Sequence, residues 1–129
     1  MKLIQAKDMP TPGGHYAQAV EENGFLFLSG MLPPAATCDP ATSSFEQQCE
    51  AVFAQCAQVL GAAGCGFGDV VQCTVYLVGV ERWAAFNQVY ARTFGAHTPA
   101  RAVVPVPALH FGYLIEVQIT ATLANRPQA

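Results

Sequence analysis

Two charged residues are the chemically useful features of this chain. Arg101 follows the turn-like run Thr98-Pro99-Ala100, and Glu116 stands fifteen residues later in an otherwise apolar segment with β patterning. A guanidinium and a carboxylate on neighbouring strands can clamp a small organic acid and move a proton on it. The guanidinium matches a carboxylate through two parallel hydrogen bonds, and a carboxylate can serve as general base. Only 12% of the residues are charged, against about 25% in an ordinary domain, so a charge placed inside a strand needs a reason. The plain alternative is that the two form a salt bridge between subunits.

The elements that must position this pair follow from periodicity. The order reads strand, strand, helix, strand, helix, strand, strand. Residues 17–22 and 25–29 flank Asn23-Gly24, whose tolerance of positive φ suits a hairpin turn. A Pro- and Thr-containing loop over 30–43 leads to Ser44-Phe45-Glu46-Gln47, a capping box that starts a helix running to about Ala63 and closed by Gly64. Phe45, Cys49, Val52, Phe53, Cys56, Val59 and Leu60 recur at helical spacing along it. Residues 69–78 alternate, with Val71, Cys73, Val75 and Leu77 on one face. A second helix over about 81–94 aligns Trp83, Phe86, Val89, Tyr90 and Phe94 and ends at Gly95. Residues 102–107 are β-rich but carry Pro105 and Pro107, which marks an edge or bulged strand. In the last strand, 112–123, Tyr113, Ile115, Val117, Ile119 and Ala121 face the core and Glu116 faces away.

The 129 residues fit one domain, residues 1–129, with a single core. Two helices on one face of a mixed sheet leave the other face rich in Thr, Gln and Tyr yet apolar. Together with 52% hydrophobic residues and a mean hydropathy of +0.27, this calls for a closed homo-oligomer in which the free faces meet. Arg101 and Glu116 would then lie near the seam. A net charge of −3 with six scattered Lys and Arg argues against a nucleic-acid footprint. No apolar run approaches the roughly 18 residues of a membrane span, and the first residues show no signal-peptide pattern, so a cytoplasmic protein is expected. Cys38, Cys49, Cys56, Cys65 and Cys73 lack metal or disulfide spacing and read as free thiols, with Cys49 and Cys56 on one helix face as small buried hydrophobes. His15, His97 and His110 are too dispersed for a metal site.

Five runs, in order and spacing, resemble the RidA/YjgF family: His15 to Val20, Phe27 to Pro33, Phe86 to Tyr90, Thr98 to Arg101 and Leu114 to Val117. That family includes enamine/imine deaminases and has also been labelled endoribonuclease L-PSP or translation inhibitor. The resemblance implies a chorismate-mutase-like α+β protomer, a homotrimer and three clefts between subunits. It implies that Arg101 holds a substrate carboxylate and that Glu116 positions the attacking water. Tyr16, Ser29, Gly30 and Asn87 match further cleft positions, although Tyr16 and Ser29 also read as ordinary strand residues. Val103 stands at a cleft position where Cys is frequent, Met31 where Gln is frequent, and His15 where Pro is common, so substrate choice should differ. The implied reaction is hydrolysis of a 2-imino acid or its enamine, such as 2-aminoacrylate, to a 2-keto acid and ammonia. It needs no metal or organic cofactor, because the imine carbon is already electrophilic. The alternatives are a non-catalytic ligand-binding or regulatory trimer, a pathway-specific deaminase of a larger enamine such as an aminomuconate, and a ribonuclease.

Overall fold

The computed structural model describes residues 1–127; the last two residues of the expected single domain lie outside them. Six strands form one mixed sheet: β1 (Lys2–Ile4), β2 (Ala19–Glu22), β3 (Phe25–Leu28), β4 (Val70–Val78), β5 (Ala100–Val106) and β6 (Ile115–Thr122), in the order β1-β2-β3-β6-β4-β5. Helices α1 (Phe45–Ala62) and α2 (Trp83–Phe94) complete an α+β architecture. Asn23 (φ 52) and Gly24 (φ 81) turn the β2–β3 hairpin, as a tight two-residue turn requires.

The α1 boundaries follow from local chemistry. Ser44 Oγ accepts from Gln47 N at 3.1 Å while Gln47 Oε1 accepts from Ser44 N at 2.9 Å, so two otherwise orphaned amides are satisfied. At the other end Cys65 N donates to Leu60 O and Gly64, at φ 79, donates to Gly61 O, a Schellman closure that needs the left-handed glycine. Cys49, Val52, Phe53, Cys56, Val59 and Leu60 bury one face of α1 against Val75, Leu77, Ile115, Val117 and Ile119 of the sheet.

Several expectations are corrected. β1 is an unforeseen three-residue edge strand, paired through Lys2↔Glu21 and Ile4↔Ala19; so short a segment shows no alternation. A bulge between Val70 and Gln72 buries Val70 and leaves Val71 40% exposed, so Val71 does not share the face of Cys73. A bulge sets two residues against one and shifts the alternation there. The start of α2 is preceded by a 3₁₀ turn, Val80–Arg82, and Trp83 lies half exposed beside the buried Phe86, Val89, Tyr90 and Phe94. β5 begins at Ala100, so Arg101 lies inside a strand; it runs parallel to β4 at the sheet edge, where Pro105 costs no ladder partner. No helix of the described residues is long and apolar enough to cross a membrane.

Candidate active site

Glu116 lies on β6 between the buried Ile115 and Val117, so its side chain leaves the sheet on the face away from the helices. The chain from Ser29 to Met31 runs alongside it. Met31 N donates to Val117 O at 2.7 Å and Val117 N returns a bond to Met31 O at 2.9 Å, which sets Gly30 beside Glu116. A Cβ on Gly30 would stand 3.2 Å from Glu116 Oε2, a contact tight enough that the carboxylate would have to give way slightly, so glycine favours the close approach of backbone and carboxylate. Ser29 Oγ donates to Ala17 O at 2.7 Å, leaving its lone pairs for another donor. Among the described residues the Glu116 carboxylate has neither a hydrogen-bond nor an ion-pair partner.

A cleft of about 910 Å³ opens here, and Tyr16, Ser29, Gly30 and Glu116 all line it. Its walls are anchored to the core. Buried Gln18 accepts from Ala6 N at 2.7 Å and donates to Pro10 O at 3.3 Å, fixing the N-terminal loop. Gln55 of α1 donates to Leu32 O at 2.9 Å. Tyr113 donates to Cys38 O at 2.7 Å, and Gln48 Oε1 accepts from Leu114 N at 2.9 Å. Among the described residues Glu116 is the one carboxylate lining the cleft, and neither Lys nor Arg lines it.

Arg101 lies elsewhere. Its guanidinium carbon sits 4.8 Å from the centroid of the Tyr90 ring, 5.8 Å from that of Phe86 and 5.9 Å from that of Trp83, so α2 offers it aromatic faces. Nη1 donates to Asn87 Oδ1 at 2.8 Å. The approach to β5 is tied down by His97, whose Nε2 lies 2.7 Å from Val70 O. Among the described residues no carboxylate pairs with Arg101. The result is a cation steadied by Asn87 and the Tyr90 ring with donors to spare, the arrangement that receives an anion.

These positions correct the expected geometry. β4 separates β5 from β6, so Arg101 and Glu116 are not on neighbouring strands. Arg101 is registered with Cys73, buried on the helix side, whereas Glu116 is registered with Tyr76, so the two side chains leave opposite faces. The expected residues fall into two groups. Tyr16, Ser29, Gly30 and Glu116 share the cleft; Arg101 and Asn87 meet at the β5–α2 edge, where Val103, registered with Val75, faces the same side. One protomer does not bring these groups together.

The cysteines play no evident chemical part. Burial pushes the Cys49 and Cys73 thiols up to about 12, which keeps them neutral and unreactive. No cluster of the described residues could hold a metal ion. Sequence reasoning missed Phe111, which lines the cleft with 79% of its surface exposed and φ at 63. Only the glycine after it hinted at a turn.

Comparison with known proteins agrees with this fold. Residues 6–123 match the family model described as Endoribonuclease L-PSP. A RutC family protein of Synechocystis is 38% identical over 126 residues, covering 95% of this chain and 97% of that protein. Reactive Intermediate Deaminase A of the Arabidopsis thaliana chloroplast is 32% identical over 123 residues, covering 95% of this chain and 66% of that protein. A crystal structure described as a putative endoribonuclease L-PSP from Entamoeba histolytica superposes with a TM-score of 0.87 at 35% identity, over 95% of this chain and 98% of that one.

Proposed function

Because this chain belongs to the endoribonuclease L-PSP family, the RidA/YjgF group, we propose that it hydrolyses reactive 2-imino acids and their enamine tautomers to 2-keto acids and ammonia. The sites would be clefts between the subunits of a homotrimer, each joining the Glu116 cleft of one copy to the Arg101 edge of another. One observation carries this reading: among the described residues the Glu116 carboxylate has no partner and the Arg101 guanidinium, steadied by Asn87, has no carboxylate, and the two lie on opposite faces of the protomer. A shared site gives both a use.

The chemistry is short. Arg101, held by Asn87 and the ring of Tyr90, takes the substrate carboxylate bidentately and so fixes the C=N carbon. Water adds to that carbon as Glu116 accepts a proton from it. Glu116 returns that proton to nitrogen to give the carbinolamine, then takes the proton of the carbinolamine hydroxyl and passes it to the amino nitrogen as C=O forms and the C–N bond breaks, releasing ammonia and the 2-keto acid. Acid–base assistance of roughly 10² to 10⁴ is enough for an imine that already hydrolyses unaided. No metal or organic cofactor enters the scheme. A nuclease activity is disfavoured because the chain's six Lys and Arg are scattered and its net charge is −3, which supplies no basic groove for a phosphate backbone.

The test is semicarbazide trapping of imines made in situ by an amino-acid oxidase. The protein should divert imine from the trap to keto acid, and an unchanged yield of trapped product would refute the reading.

A further inference from the structure

The cleft beside Glu116 is larger and less polar than a three-carbon acid requires. Its volume of about 910 Å³ lies near the top of the roughly 300–1,000 Å³ range of clefts that bury drug-sized ligands. Met31, Leu32, Pro33 and Pro34 line it from one loop and Phe111 from another, and no Lys or Arg joins them. A ligand carboxylate therefore meets no guanidinium or ammonium of the same protomer in this space, whereas an apolar group is accommodated along the Met31 to Pro34 and Phe111 walls, beside the polar Ser29, Gln18 and Glu116.

Phe111 is the unusual element. It stands at φ 63 and ψ 11, followed by Gly112 at φ 81, in a turn closed by Tyr113 N donating to His110 O at 3.3 Å. The first of two consecutive left-handed positions is ordinarily Asn, Asp or Gly, because a bulky side chain is strained there. With 79% of its surface exposed, the ring recovers little of that strain by burial within the protomer. A strained, exposed aromatic on the rim of a cleft, five residues before Glu116 in sequence, points to a ligand contact.

We propose that this cleft is the side-chain pocket of the site, with Phe111 as its specificity-determining wall, and that the preferred substrates are 2-imino acids bearing a bulky apolar side chain. This rests on the imine-hydrolase reading. Filling an apolar pocket favours the larger substrate by roughly 10- to 200-fold per methylene-sized group, and a three-carbon imine leaves these walls in contact with water.

The experiment compares kcat/KM for imines generated by a broad-specificity amino-acid oxidase from alanine, leucine and phenylalanine. The leucine and phenylalanine imines should be favoured over the alanine imine by about tenfold or more. Phe111→Asn, which suits the left-handed turn but removes the ring, should lower that ratio toward one, with folding verified by thermal denaturation. A wild-type ratio of one or less, or an undiminished ratio in Phe111→Asn, overturns the assignment. If no imine is accelerated, the hydrolase reading falls, and calorimetry with pyruvate, 4-methyl-2-oxopentanoate and phenylpyruvate decides the pocket. Tighter binding of the two larger keto acids sustains it; equal or absent binding overturns it.

Discussion

Arg101 and Glu116 leave opposite faces of one sheet, with β4 lying between their strands. A site that uses both therefore draws them from different copies, and association becomes a condition of activity. Sedimentation equilibrium at micromolar concentration should give three times 13.7 kDa; a monomer would leave the two groups apart.

Gly30→Ala tests the close approach to Glu116. The added methyl, 3.2 Å from Oε2, must push the carboxylate aside by a few tenths of an ångström, less than the ~1 Å misplacement that costs about 10² in rate, so a loss of about several-fold is expected. Turnover should drop by that amount while the melting temperature changes little. Undiminished turnover would remove Glu116 from the chemistry.

At the other half-site, Arg101→Lys should lose about tenfold or more in kcat/KM, since one ammonium cannot make two parallel bonds. Asn87→Ala leaves the guanidinium in place but unsteered, so KM should rise more than kcat falls. Both variants should remain trimeric by sedimentation. Dissociation of the Arg101→Lys trimer would favour a structural intersubunit ion pair.

Phe111→Gly should raise stability, because it removes a left-handed strain of about 1–2 kcal/mol from a residue that is 79% exposed. Urea denaturation measures it. A loss of stability would mean that the ring is packed against something the protomer lacks.

Alkali should weaken the fold through its buried thiols. Cys49 and Cys73 go from 9.0 to about 12 on folding, so above pH 9 the unfolded chain releases protons that the native state retains. Stability is then lost as pH rises from 9 toward 12, by roughly 1.4 kcal/mol per pH unit for each thiol. Urea midpoints at pH 8 and pH 10 should differ accordingly; equal midpoints would indicate that these thiols ionise in place.

Much of this was legible in residue order because it was local. Ser44 and Gln47 cap α1 through each other, and Ile115 to Ala121 alternate with a period of two, so both could be read from spacing. Strand order is not local. β6 inserts between β3 and β4, which is why Arg101 and Glu116, apparently neighbours in sequence order, lie two strands apart. Val71 was misassigned because a bulge carries no composition signal. Phe111 was missed because phenylalanine is not a residue that announces a left-handed turn.

Subunit mixing tests the shared site most directly. Arg101→Lys and Glu116→Gln each impair one half, so each pure trimer should keep about a tenth of wild-type activity or less. Of trimers assembled at random from an equal mixture, about a quarter are parental homotrimers with no intact cleft, and every mixed trimer, identified by native mass spectrometry, has one intact cleft of its three. About a quarter of wild-type imine hydrolysis should therefore return. Mixed trimers no more active than either parent would contradict a site built from two copies of this chain.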